Sequence, residues 1–218
     1  MSSVADGLPL NKRLPAVIAI SLGIGMATLD TAIVNTALPT LAEGIGTDSA
    51  SVIWVVNAYQ LAIIATVLPF ASLSDVLGHR RVYLGGLLLF IVSSLFCGLA
   101  GSLVTLTAAR VVQGLGAAAI MSVNTALLRH IYPSKMLGRG LGYNSLVVGL
   151  AFTLGPTVAS AILSVATWHW LYLINVPLGL LALGLGLRSL PTLPMTGHAF
   201  DRLAADLHIV RADFPEAG

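Results

Sequence analysis

The chain has 218 residues, of which 56% are hydrophobic and only 9% charged, against about 25% charged residues in an ordinary soluble domain. That composition excludes a soluble globular protein and points to an integral membrane protein. A formal net charge of +2, without a basic patch interleaved with aromatics, gives nucleic acid no footing.

Hydropathy predicts an all-α protein with six transmembrane helices, spans 1 to 6, over residues 14–38, 52–73, 82–101, 103–127, 141–165 and 170–190. Each is near the roughly 20 residues that a bilayer demands. Residues 1–13 form an amino-terminal segment whose Lys12 and Arg13 precede span 1. The apolar stretch that follows outruns the roughly 7–15 residues of a signal-peptide core, so it reads as a span and not as a leader. Residues 191–218 form a polar tail carrying Asp201, Asp206, Asp213 and Glu216, too interrupted by charge to begin a seventh span.

The connections alternate in chemistry. Lys12, Arg13, Arg80, Arg81, Arg129, Lys135, Arg139, Arg188 and Arg202 all fall on one side, while the opposite connections carry no Lys or Arg. The positive-inside rule then places both termini in the cytoplasm of a multi-pass cell-membrane protein. Trp54, Trp168 and Trp170 fall at the outer helix ends, where aromatic rings favour the headgroup layer.

Asp30 in span 1 is the residue most in need of a reason, because an ionisable group inside a span is a functional hypothesis by default. Arg110 in span 4 lies at matching depth: Asp30 is eight residues before Leu38, where span 1 leaves the membrane, and Arg110 eight after Ser102, where span 4 enters it, about 12 Å along the axis. Burial favours the neutral form of a carboxyl and a guanidinium its charged form, a balance that a ligand or a conformational change can tip, as a proton-coupling site requires. The same pairing would equally serve to lock the two helices together. Gln113, one turn after Arg110, faces the same way, and Asn35, Asn57 and Gln60 are candidates for polar cavity lining or for bridges between helices.

Between spans 2 and 3, residues 71–82 read as a loop in which Gly78 permits a tight turn beside Asp75, Arg80 and Arg81. That mix is either a solvated connection or a cytoplasmic latch able to exchange salt bridges as helices move. In span 5, Gly155 and Pro156 mark a kink or weak point. Small residues four apart, Gly114 with Ala118 and Ala151 with Gly155 and Ala159, allow close helix contact. Cys97 in its apolar run reads as a packing residue. The five histidines lack metal-ligand spacing, and no nucleophile and base pair stands out, so neither metal, cofactor nor enzymatic activity is expected.

Five stretches in order, LDTAIVNTALP (29–39), ASLSDVLGHRR (71–81), ARVVQGLGAAAIM (109–121), LAFTLGPTVAS (150–160) and WHWLYLINVPLG (168–179), resemble the major facilitator superfamily, specifically its drug:proton antiporters of the fourteen-span type. The resemblance implies two inverted three-helix repeats forming one half of the family's fold, with the transport path lying against a second half. It implies proton-coupled efflux of drugs or other amphipathic small molecules by alternating access. It also implies a loop latch at Asp75, Gly78, Arg80 and Arg81, and an antiporter motif at Gly155 and Pro156. Ala71, Val76, His79 and Ala159 stand where the family pattern has other residues. HAFDR, at 198–202, resembles the linker into a seventh helix. The expected partners are the lipid bilayer, protons, a small-molecule substrate, and a second six-helix half or a second copy. The alternative is a truncated fragment, or a half module that does not transport alone.

Overall fold

The computed structural model describes residues 7–191. The tail acids and the HAFDR stretch lie outside the described residues. Among the described residues eight α-helices follow in chain order: α1 (Leu10–Ile45), α2 (Ser49–Val52), α3 (Trp54–Leu77), α4 (His79–Gly98), α5 (Leu103–Ile131), α6 (Leu137–Leu163), α7 (Trp170–Leu173) and α8 (Asn175–Ser189), with a 3-10 turn at Ser134–Met136. They make six helices long and apolar enough to cross a membrane: Leu10–Ile45, Ser49–Leu77, His79–Gly98, Leu103–Ile131, Ser134–Leu163 and Trp170–Ser189. These six are spans 1 to 6 below.

Most spans extend past the hydropathy boundaries, because a helix continues wherever its backbone finds partners while hydropathy sees only the hydrocarbon layer. Span 1 is the extreme case. Its 36 residues cover about 54 Å, well beyond a hydrocarbon layer of about 30 Å. It stops at Gly46, which takes the left-handed conformation (φ 73°) and returns its N–H to Ala42 and Glu43. At the next turn the Asp48 side chain accepts from the amides of Ala50 and Ser51, both at 2.9 Å. Hydrogen bonding from the Ser51 side chain, together with these amides, holds its carboxyl below the usual carboxylate range. Ser102 and Thr105 form a reciprocal capping box at the start of span 4.

The expected loop at 71–82 is not a loop. Span 2 stays helical to Leu77 and span 3 begins at His79, so the connection is a single residue, Gly78, at φ 91°. Only glycine adopts that conformation without steric cost. Span 6 is interrupted at Ile174. Pro177, four residues after Leu173, lacks the N–H that would bond the Leu173 carbonyl.

Each repeat is built into the other. Span 1 packs mainly on spans 5 and 6, and span 4 mainly on spans 2 and 3, the reciprocal pattern expected of two inverted three-helix units. Glycines allow the closest approaches. A Cβ on Gly116 would lie 2.7 Å from the Phe90 amide nitrogen and 2.9 Å from the Gly86 carbonyl, and one on Gly114 would lie 2.6 Å from the Tyr59 carbonyl.

The buried apolar residues fall into two clusters. One includes Ala16, Ile20, Tyr83, Phe90, Leu127 and Ile131; the other includes Ile33, Leu41, Val52, Leu106, Trp168 and Leu171. Trp168 therefore does not sit in a headgroup belt. It is buried under Gly44 and stacks on His169 at 3.7 Å between centroids, whereas Trp54 and Trp170 are exposed as expected.

The basic connections gather at one end. The Leu8 amide bonds the Ile131 carbonyl at 3.1 Å, Arg13 donates to the Leu8 carbonyl at 2.8 Å, and the His79 and His130 rings lie 6.0 Å apart.

Candidate functional site

Asp30 and Arg110 lie in the gap between the two apolar clusters. Along span 1 the first cluster ends at Ala27 and the second begins at Ile33; along span 4 the second includes Leu106 and the first resumes at Ala117. Both charges are 0% exposed. They meet directly, Arg110 Nη1 donating to Asp30 Oδ2 at 2.5 Å. Among the described residues this is the ion pair of the bundle.

The rest of the site satisfies those two groups, as burial of charge demands. Asp30 Oδ1 accepts from Gln113 Nε2 at 3.2 Å and from Asn175 Nδ2 at 2.8 Å. Gln113 Oε1 accepts from Arg110 Nη1 at 2.7 Å and from Cys97 Sγ at 3.4 Å, and its Nε2 also donates to Ser94 Oγ at 2.8 Å. Arg110 Nε donates to the Val55 carbonyl at 3.2 Å. The guanidinium lies over the Tyr59 ring, 3.8 Å from its centroid, and 5.7 Å from the Tyr172 centroid. Tyr59 donates through its hydroxyl to the Ala27 carbonyl at 3.3 Å. Spans 1, 2, 3, 4 and 6 thus meet at one carboxylate and one guanidinium.

Of the residues singled out by sequence, Asp30, Arg110 and Gln113 come together. Cys97 does pack, but it also hydrogen-bonds the site. Sequence reasoning assigned no role to Asn175, Ser94, Tyr59 or Tyr172. A signal existed for Asn175, a polar residue inside the apolar run LYLINVPLG; the others carry no mark that separates them from ordinary span residues.

Asn35, Asn57 and Gln60 are exposed on the bundle surface, and Asn35 bonds its own helix at the Thr31 carbonyl. Asp75 is exposed and makes no ion pair with Arg80 or Arg81 among the described residues. Arg80 instead donates to the Leu187 carbonyl in the last turn of span 6 at 2.6 Å, so the 2–3 connection is tied to span 6 through backbone. Gly155 is buried against span 1, where a Cβ would overlap Ala32, and α6 continues through Pro156 to Leu163.

A buried carboxylate and guanidinium at the centre of six membrane-crossing helices, built as two interleaved repeats, mark the class as multi-pass membrane transporters. The Major Facilitator Superfamily profile matches residues 20–209, and the chain belongs to that family. It is 58% identical over 187 residues to "Uncharacterized transporter YebQ" of Escherichia coli (strain K12), covering 86% of this chain and 41% of that protein. It is 34% identical to "Riboflavin transporter RibZ" of Clostridioides difficile (strain 630), covering 80% of this chain and 38% of that protein. It is also 34% identical to "Putative multidrug resistance protein MdtD" of Salmonella paratyphi B (strain ATCC BAA-1250 / SPB7), covering 84% and 39%. The chain therefore spans about two fifths of the length of these curated relatives. Among solved structures it resembles that titled "Crystal structure of D-xylose-proton symporter", with a TM-score of 0.73 at 15% identity, covering 93% of this chain and 53% of that one. That likeness shows the fold.

Proposed function

We propose that this chain is the proton-handling half of a transporter that exports amphipathic small molecules in exchange for protons, with Asp30 as the proton-carrying carboxyl. The observation that carries the reading is the fully buried Asp30 held at once by Arg110, Gln113 and Asn175. A carboxylate so placed costs several kcal/mol to desolvate and is kept only by partners whose grip changes when it takes a proton. The multidrug name of MdtD supports the substrate class, and the likeness of residues 150–160 to an antiporter motif supports the direction.

A second reading has its own observation. Asn35, Asn57 and Gln60 expose carboxamides on spans 1 and 2, beside apolar side chains such as Leu61 and Ile64, which suits a face covered by a second six-helix half better than one facing lipid. On that reading the chain alone does not transport. Both are separated in everted membrane vesicles from cells producing the chain alone or together with a second six-helix half, energised with a proton gradient and supplied with ethidium. Gradient-dependent ethidium uptake, abolished by Asp30→Asn, is the expected result. Undiminished uptake in the Asp30→Asn variant overturns the coupling role, and uptake only in the two-half assembly supports the half-transporter reading.

A further inference from the structure

Gln113 and Asn175 present amides to the same carboxylate oxygen, but they are not equally free to turn over. Gln113 is fixed by its other bonds: Oε1 accepts from Arg110 and Cys97, and Nε2 donates to Ser94. Turning that amide would set NH2 groups against the guanidinium, donor against donor. Asn175 makes its Nδ2 bond to Asp30 Oδ1, and its own buried Oδ1 has no hydrogen-bond partner. Turning it sacrifices one bond and nothing else.

Protonation of Asp30 creates a need for such a turn. Oδ2 faces the cationic Arg110 Nη1, so a proton goes to Oδ1, and a carboxyl that accepted there must now donate. The titratable and charged groups around Asp30 are Arg110 from span 4, Cys97 from span 3, Tyr59 from span 2 and Tyr172 from span 6. Arg110 has no acceptor, the Cys97 thiol and Tyr59 hydroxyl already donate to Gln113 and Ala27, and the buried Tyr172 hydroxyl, itself without a partner, makes no hydrogen bond to Asp30. Among these neighbours and the two amides, Asn175 both reaches Asp30 Oδ1 and holds an idle acceptor.

We propose that Asn175 reads the protonation state of Asp30, donating through Nδ2 to the carboxylate and, turned over, accepting through Oδ1 from the acid. This rests on the proton-site reading above. Span 6 then holds span 1 in both states, whereas the ion pair to span 4 weakens when the proton arrives. Loading the proton shifts the grip on span 1 from span 4 towards span 6. The backbone beside Asn175 is suited to such a change, since Pro177 leaves Leu173 without its helical donor at the break between α7 and α8. Asn175 is a positioning residue, acting through Asp30.

The test is infrared difference spectroscopy of the purified chain in detergent micelles between high and low pH, reading the carboxylic-acid C=O stretch that Asp30→Asn removes. In the wild type this band is expected at the position of a hydrogen-bonded acid. Asn175→Leu should shift it upward to that of an acid with no acceptor. Asn175→Ser, whose hydroxyl both donates and accepts, and Tyr172→Phe should leave it in place. A band unmoved in Asn175→Leu, or moved equally by Tyr172→Phe, overturns the role of Asn175. The absence of any Asp30-dependent band overturns the proton-site reading itself, and this one with it.

Discussion

Arg110 performs three tasks that a lysine cannot combine: it pairs with Asp30, bonds the Val55 carbonyl through Nε, and lies flat over Tyr59. Only a planar guanidinium with several fixed donors does all of these. Arg110→Lys should therefore lose the Val55 bond and the stacking, with a more than tenfold loss of proton-linked export in the two-half assembly. Arg110→Leu leaves Asp30 without its counter-ion, held by Gln113 and Asn175, and breaking a buried pair in this way costs about 3–5 kcal/mol. Adding Asp30→Asn to Arg110→Leu should recover a large part of that loss, measured by unfolding in mixed micelles; purely additive losses would show that the two side chains are not energetically coupled. At this scale the sequence was most readable for charge. Asp30 and Arg110 stand out because ionised groups are so rare in apolar runs, and Gln113 follows from helical spacing. Ser94, Tyr59 and Asn175 were harder to find, because a moderately polar residue in a span gives no hint of which neighbouring span it faces.

Where helices cross, glycine decides how near they come. Gly116 meets the Phe90 amide nitrogen and the Gly86 carbonyl, backbone atoms that cannot rotate aside. Gly116→Val should destabilise the bundle by about 1–3 kcal/mol, while Gly142→Ala, with nothing within 4 Å of the new methyl, should stay within about 0.5 kcal/mol. Thermal unfolding followed by size exclusion compares the two; equal effects would remove the close crossing of spans 3 and 4 as a source of stability. The four-residue spacing of small side chains announced such contacts, and Gly114, Ala118, Gly155 and Ala159 are indeed buried, whereas Ala151 is only half-buried. Helix ends were less legible. Polar residues at 71–77 resemble a loop by composition, yet nothing in their backbone stops a helix before Gly78, and glycine's freedom to take positive φ does the stopping.

For the molecule as a whole, the charge asymmetry read from the sequence becomes a gathering of basic connections at one end, where Leu8 touches Ile131 and His79 approaches His130. If that end is cytoplasmic, a membrane-impermeant maleimide should label Ser164→Cys in intact cells and Gly138→Cys only in everted vesicles. The opposite pattern would invert the topology. Cys97, fully buried, should remain unlabelled from both sides and need not be removed. The number of spans and their alternation were legible because a bilayer imposes its thickness on composition. The two inverted repeats were implied by family resemblance alone, and their reciprocal packing was not legible, since helix neighbours depend on side-chain fit that a single sequence does not display.

That reciprocal packing has a consequence for biosynthesis. Span 1 leaves the ribosome with its carboxylate unpartnered, and the guanidinium that will hold it follows 80 residues later. An isolated acid at mid-span costs about 2.5–3.5 kcal/mol during membrane insertion, a cost that the surrounding alanine, isoleucine and leucine of span 1 must offset by themselves. Span 4 supplies Arg110 and Gln113, but span 1 meets its main packing partners and Asn175 only with spans 5 and 6, so the shell around the carboxylate is complete only once the last span is in place.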